Sequence, residues 1–185
     1  KSGVSARMSI SCYENLLSTA ERRMLINKES KTSIRMSDFF GIMSSINGKI
    51  ELVYEGEQEG ARKISFHLIN EAVKTLFVNF FPKIEKLQKP DESSPYDNLL
   101  AWFFKDNKLF LEDNEKENNY RKKIESIPMA FELVKKYANN SKNDDIYFMV
   151  EFLLWGLEAH KKLNKYRSID GFEFKDSLGS YIKNL

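Results

Sequence analysis

The stretch DDIYFMVEFLLWGLEAHKKL (144–163) constrains this chain more than any other. Ile146, Met149, Val150, Leu153, Leu154 and Leu157 recur at helical spacing on one face, and Phe148, Phe152 and Trp155 occupy the rest. A helix that is apolar nearly all round must be covered on every side, so the spacing predicts a helix over about 145–163 in the middle of a C-terminal core. The apolar runs are short and interrupted by charge, which excludes a membrane span. With 185 residues the chain can build one good core or two small ones around it. Hydrophobic residues at 42% and charged residues at 30% are the proportions of a globular chain rather than a disordered one.

Upstream, the same periodicity marks further helices. Tyr13, Leu16, Leu17, Ala20 and Met24 share a stripe, which predicts a first helix from about Ser5 to Asn27. Ser5 is a suitable N-cap and Gly3 lets the entering chain bend, while Glu21, Arg22 and Arg23 fall on or beside the polar face. The polar segment 27–33 reads as a linker. A shorter helix opens at Arg35–Asp38, capped by Ser37 or Asp38, with Phe39, Phe40, Ile42, Met43 and Ile46 as its apolar surface and Asn47-Gly48 as its exit. Ile50, Leu52 and Tyr54 then alternate with Lys49, Glu51 and Glu55, the period of a short half-buried strand. A long helix follows from about Ala61 to Phe81. Its stripe of Ala61, Ile64, Leu68 and Ala72 is widened by Ile69, Val73, Leu76, Phe77 and Phe80, which predicts a central, well-covered helix ended or bent by Pro82.

KPDESSP (89–95) is the best internal boundary, as a long surface loop or a domain linker. Beyond it Tyr96, Leu99, Leu100, Phe103 and Phe104 mark a helix, and Leu109–Leu111 a short extended piece. Ile124, Ile127, Phe131 and Val134 recur at helical spacing, kinked or broken at Pro128. NNSKNDD (139–145) is a loop, GFEFKD (171–176) resembles an edge strand, and the last residues form a short helix or turn. The expected fold is mainly α-helical with a minor β element.

Little of the usual chemistry of enzymes is written here. No phosphate-cradling G-x-x-x-x-G-K-[ST] loop and no strand-borne G-x-G-x-x-G is present. His67 and His160 stand alone without a partner at metal spacing, so each reads as a packed or surface histidine. Cys12 has no nearby histidine, cannot form an internal disulfide, and reads as a buried inert thiol suited to a reducing cytosol. Glu51, Glu55, Glu57 and Glu59 are dense enough for an acid–base pair or a cation site, yet a solvated strand and turn explains them better. Asp144-Asp145 reads as an N-cap with first-turn acid. The aromatic, basic run 77–89 reads as core rings and a solvated helix end rather than a stacking platform.

Arg7 is the exception. A cation in the first turn of a helix is opposed by the helix dipole by about 0.3–1 kcal/mol, but the free N–H groups there bind phosphate and a guanidinium fork matches phosphate oxygens. A surface arginine with no ligand is the plain alternative.

Gly3-x-Ser5-x-Arg7, in SGVSARMSI (2–10), followed by YENLLSTAERR (13–23), resembles the lid helix of AAA+ ATPases of the MoxR and magnesium-chelatase subunit I group. The stretch 35–77, and most distinctively GKIELVYEGEQEG (48–60), is similar to a subgroup of magnesium-chelatase or sigma-54-interacting-like regulators; the resemblance is strong over 2–82 and weak beyond 95. It implies that residues 1–34 end the AAA+ helical lid and that 35–185 form a C-terminal helical extension. It also implies that Arg7 is the sensor-2 arginine on the γ-phosphate of ATP, and that the nucleotide-binding module with its Walker motifs lies upstream of Lys1. The opening at Lys1 without Met fits such an excision, or the removal of a tag. On this reading the chain alone has no catalytic residue and no metal site. ATP and Mg belong to the parent protein, a cytoplasmic homo-oligomer, hexameric in its ring, with a further protein partner. A chaperone-like or regulatory ATPase fits the extension better than porphyrin metallation.

Two alternatives remain open from sequence. One is a stand-alone helical protein-interaction domain with Arg7 as a surface residue. The other is a DNA-associated sigma-54-like regulator module, which a net charge of only +2 and the absence of a recognition-helix motif argue against. The resemblance also implies that the first helix is here without its lid neighbours, so part of its apolar stripe is expected to be exposed and to promote dimerisation of this fragment.

Overall fold

The computed structural model describes residues 7–46, 61–84, 93–138 and 145–177. They form a mainly helical fold with one small antiparallel sheet. The chain divides into two compact units, 1–72 and 73–185.

In the first unit, α1 (Arg7–Asn27) is closed at its C-terminus by a Schellman motif. Lys28 takes the left-handed conformation at φ 56°, the Lys28 N–H donates to Leu25 O at 3.1 Å, and the Glu29 N–H donates to Met24 O at 3.0 Å. The chain returns as a 3-10 helix (Met36–Ile42) running into one α-turn, α2 (Met43–Ile46), and α1 packs on both. The expected short helix is therefore mostly 3-10. The N-cap residue is Arg35 rather than Ser37 or Asp38, and Asp38 caps from the third helical position, its carboxylate accepting the Arg35 N–H at 2.8 Å in a capping box. Arg23 is corrected too: expected on or beside the polar face with Glu21 and Arg22, it is 1% exposed, while both neighbours face solvent. The strand expected over 50–55 lies outside the described residues.

The division between the units falls within α3 (Ala61–Phe77). Its buried stripe is narrow, Ser65, Ile69, Val73 and Phe77 at intervals of four, whereas Leu68, Ala72 and Leu76 are exposed. The breadth of the apolar arc thus overstated how well the helix is covered. The helix ends at Phe77 rather than at Pro82, through turns in which the N–H groups of Phe80 and Phe81 both donate to Phe77 O. That turn drives the Phe81 ring into the core, 5.2 Å from Phe77.

The second unit continues through α4 (Asp97–Phe104), whose Asp97 carboxylate accepts the Ser94 N–H at 2.7 Å. Then come β1 (Leu109–Glu112), α5 (Glu117–Glu125) and α6 (Ala130–Tyr137), with Pro128 and a left-handed Met129 making the break between the two helices. α7 (Asp145–Ala159) is the core helix that the sequence demands: every residue from Met149 to Leu157 is buried. It stops four residues before the expected end, because Lys161 turns left-handed at φ 62° and a second Schellman pair follows, with the Lys161 N–H donating to Glu158 O and the Lys162 N–H to Leu157 O, each at 2.8 Å. Leu163, assigned to the end of that helix, begins a strand instead, β2 (Leu163–Arg167).

β3 (Gly171–Asp176) is another correction. It is the central strand of the sheet, in the order β1-β3-β2, not an edge. It pairs Phe174 with both Leu109 and Lys165, and Phe172 with both Leu111 and Arg167. Leu109, Leu111, Leu163, Phe172 and Phe174 are buried, and the Trp155 ring of α7 lies 5.3 Å from Phe172. Lys165 shares this inward face on an edge strand, which blunts the edge against further pairing. Its Nζ stands 3.4 Å from the Trp155 ring centroid and 2.7 Å from Glu158.

Candidate functional site

Arg7 is the first residue of α1 and is exposed. The first turn, Arg7–Ile10, contains no acid, so positive charge gathers where the backbone N–H groups of a helix are unsatisfied by the helix itself. Such a place favours an anion, and a guanidinium adds a planar fork to it.

What fixes α1 is a polar seam. At its far end Arg23 donates through Nη1 to Asp38 Oδ1, and through Nη2 to Thr32 Oγ1 at 3.1 Å and Ser33 O at 2.6 Å. Burial pushes the Asp38 carboxyl above its ordinary value, against the opposite pull of Arg23 and Arg35. Nearer the start, Asn15 Nδ2 donates to Ser45 Oγ at 2.5 Å, and Ser45 Oγ donates to Ser11 O at 2.8 Å. Between them Gly41 lets the segments touch: a Cβ there would stand 2.0 Å from Thr19 Oγ1. Arg7 thus projects from a helix whose packed side is held by hydrogen bonds along most of its length.

The other residues singled out in the sequence are scattered. Cys12, expected to be buried, is only half-buried on α1 and is a free thiol, and His67 is exposed on α3. His160 lies just beyond α7 with its ring 5.5 Å from Phe77. Glu51, Glu55, Glu57, Glu59 and Asp144 lie outside the described residues, as does the side chain of Asp145. In the aromatic run, Phe77 and Phe81 are core rings while Phe80 is exposed. Among the described residues no three His, Cys, Asp or Glu side chains group as metal ligands, and no helix is long and apolar enough to cross a membrane.

Sequence reasoning missed the buried charged side chains Arg23, Arg35, Asp38, Glu115 and Glu151, the last accepting the Tyr120 hydroxyl at 3.0 Å in the middle of α7. Glu151 had a signal, since it is the one charge inside an otherwise apolar run. Arg23 had none, being one of three consecutive charged residues.

On α1 the expected apolar surplus is real. Ile10 and Tyr13 are each 63% exposed, and Leu17 joins them on the same stripe beside the packed side. No family model matches this chain, and no curated protein or solved structure is significantly similar to it.

Proposed function

We propose that this chain is the C-terminal helical part of a cytoplasmic AAA+ ATPase of the magnesium-chelatase and MoxR kind. Arg7 acts in it as the sensor-2 contact to the γ-phosphate of ATP, and the remaining residues serve as a partner or assembly module of a ring-forming homo-oligomer. The observation that carries the reading is the placement of Arg7, exposed at the first residue of a 21-residue helix directly after Gly3-x-Ser5. The acid-free first turn fits a phosphate. On the family resemblance, Mg²⁺ would accompany ATP on the nucleotide-binding module.

The chemistry of hydrolysis belongs to ATP, Mg²⁺ and that module. Arg7 contributes charge at the γ-phosphate, and the seam from Ser11 to Asp38 makes α1 move with the 36–46 segment. ATP turnover of the complete ATPase tests this: at matched oligomeric state, Arg7→Ala should lower turnover by about 10²-fold. Unchanged turnover would refute the assignment.

The exposed stripe of Ile10, Tyr13 and Leu17 favours a second reading, a helical protein-interaction domain that needs no nucleotide. Tyr13→Lys separates the two, because it should weaken association on that reading while leaving the charge at Arg7 in place.

A further inference from the structure

The ring cluster at the end of α3 contains one group whose hydrogen-bonding needs are unmet. His160 has its Nε2 buried without a hydrogen-bond partner and its ring against Phe77. A neutral imidazole tolerates this when Nε2 carries only a lone pair. An imidazolium would place an N–H donor and a charge there, with nothing to receive them.

The charged neighbours do not help the protonated form. Lys74, on the same turn of α3 as Phe77, is the charge that His160 faces, and it adds to the effect of burial in holding the imidazole below its ordinary 6.5. Glu158, the acid nearest to it on α7, is engaged by Lys165. Tyr96, the other titratable ring of the cluster, donates its hydroxyl to Pro82 O at 2.6 Å, and burial holds it far above its ordinary value, so it stays neutral throughout.

Phe77 is what the cluster holds. Its ring lies 6.1 Å from Tyr96 and 6.3 Å from Phe152, and rests on Gly156 so closely that a Cβ there would stand 1.9 Å from it. The end of α3 is therefore seated on α7 chiefly by the Phe77 ring in a glycine-floored socket with His160 at its side, and the Phe80 and Phe81 rings that follow lie 5.8 and 6.4 Å from Phe152.

We propose that His160 is a pH-sensitive latch: neutral, it closes the socket and holds Val73–Phe81 on α7; protonated, it releases that segment. The direction follows from proton binding. The closed state takes up a proton less readily than the open one, so acidification below 6.5 favours opening, by up to about tenfold per pH unit within the window, and nothing changes above it. This inference concerns the second unit alone and does not draw on the ATPase reading.

Hydrogen exchange on the full chain, corrected for intrinsic rates, tests it together with an NMR titration of the imidazole, assigned with His67→Gln. Protection of the Val73–Phe81 amides should fall as pH drops from 7 to 5.5, with His160 titrating below 6.5. His160→Phe keeps a ring against Phe77 and should make protection independent of pH over that range. Should that variant not fold, Lys74→Met should raise the imidazole midpoint and shrink the pH effect. Titration at or above 6.5, pH-independent protection in the wild type, a pH effect that survives His160→Phe, or an unmoved midpoint in Lys74→Met would each overturn the latch.

Discussion

Along the packed side of α1 the Ser11 carbonyl, Asn15 and Arg23 are engaged by polar groups of the returning chain, Ser45, Asp38, Thr32 and the Ser33 carbonyl. In α7 every residue from Met149 to Leu157 is buried, and Glu151 is the one charge among them. Two helices of one chain are thus held by opposite means. Burial of apolar surface is non-directional and scales with area, so α7 tolerates changes of shape that keep its volume. Buried hydrogen bonds and ion pairs add little net energy when complete, cost heavily when broken, and fix a register. The difference shows why α1 can present an exposed arginine and an exposed apolar stripe while still having one defined position.

The sharpest way to break the comparison is Arg23→Ala. It leaves the Asp38 carboxylate buried without its guanidinium, and Thr32 and Ser33 without a donor, so the first unit should lose about 3–5 kcal/mol in chemical denaturation followed by circular dichroism. Arg23→Met with Asp38→Leu should recover much of that loss, since an apolar pair leaves no orphaned charge. If the double variant were as unstable as the single one, the seam would be a source of stability rather than of register.

In α7 the corresponding change is Leu153→Ala at a fully buried position, expected to cost about 2–5 kcal/mol through lost burial and a residual cavity. Leu153→Met should cost less than about 1.5 kcal/mol, because volume is kept. Both tryptophans, Trp102 and Trp155, lie in the second unit, so fluorescence reports this transition. A Met variant as damaging as the Ala variant would mean that α7 too depends on shape.

The same contrast decides what could be read in advance. α7 announced its burial because an all-round apolar pattern has a single physical outcome, and the helical class of the fold followed from such periodicities. The seam stayed hidden because Arg23 follows Glu21 and Arg22, and burial of an arginine depends on a carboxylate fifteen residues away at Asp38. β2 was hidden for a local reason. The helical period of α7 runs on in sequence past Ala159, and only the left-handed turn at Lys161 stops it. The central position of β3 depends on which strands flank it, and with β2 hidden in sequence that position is hidden too. Arg7, by contrast, was legible as an oddity of charge at a helix start, which is where it stands.

The smallest effect asks which term wins inside the seam itself. Burial raises the Asp38 carboxyl above its ordinary 3.8, while Arg23 and Arg35 pull it down. With the raised value, the native state binds a proton more readily than the unfolded chain between 3.8 and that value. The contribution of Asp38 to stability is then present in full below 3.8 and lost as pH rises through the native value. Asp38→Asn cannot titrate, so its stability relative to the wild type should climb across that acidic window and be level above it. Urea midpoints of the two proteins from pH 3.5 to 6.5 measure the difference directly. A difference that declined with pH would mean that the two arginines outweigh burial, and that α1 is held by the attraction of its ion pair as well as by the directionality of its hydrogen bonds.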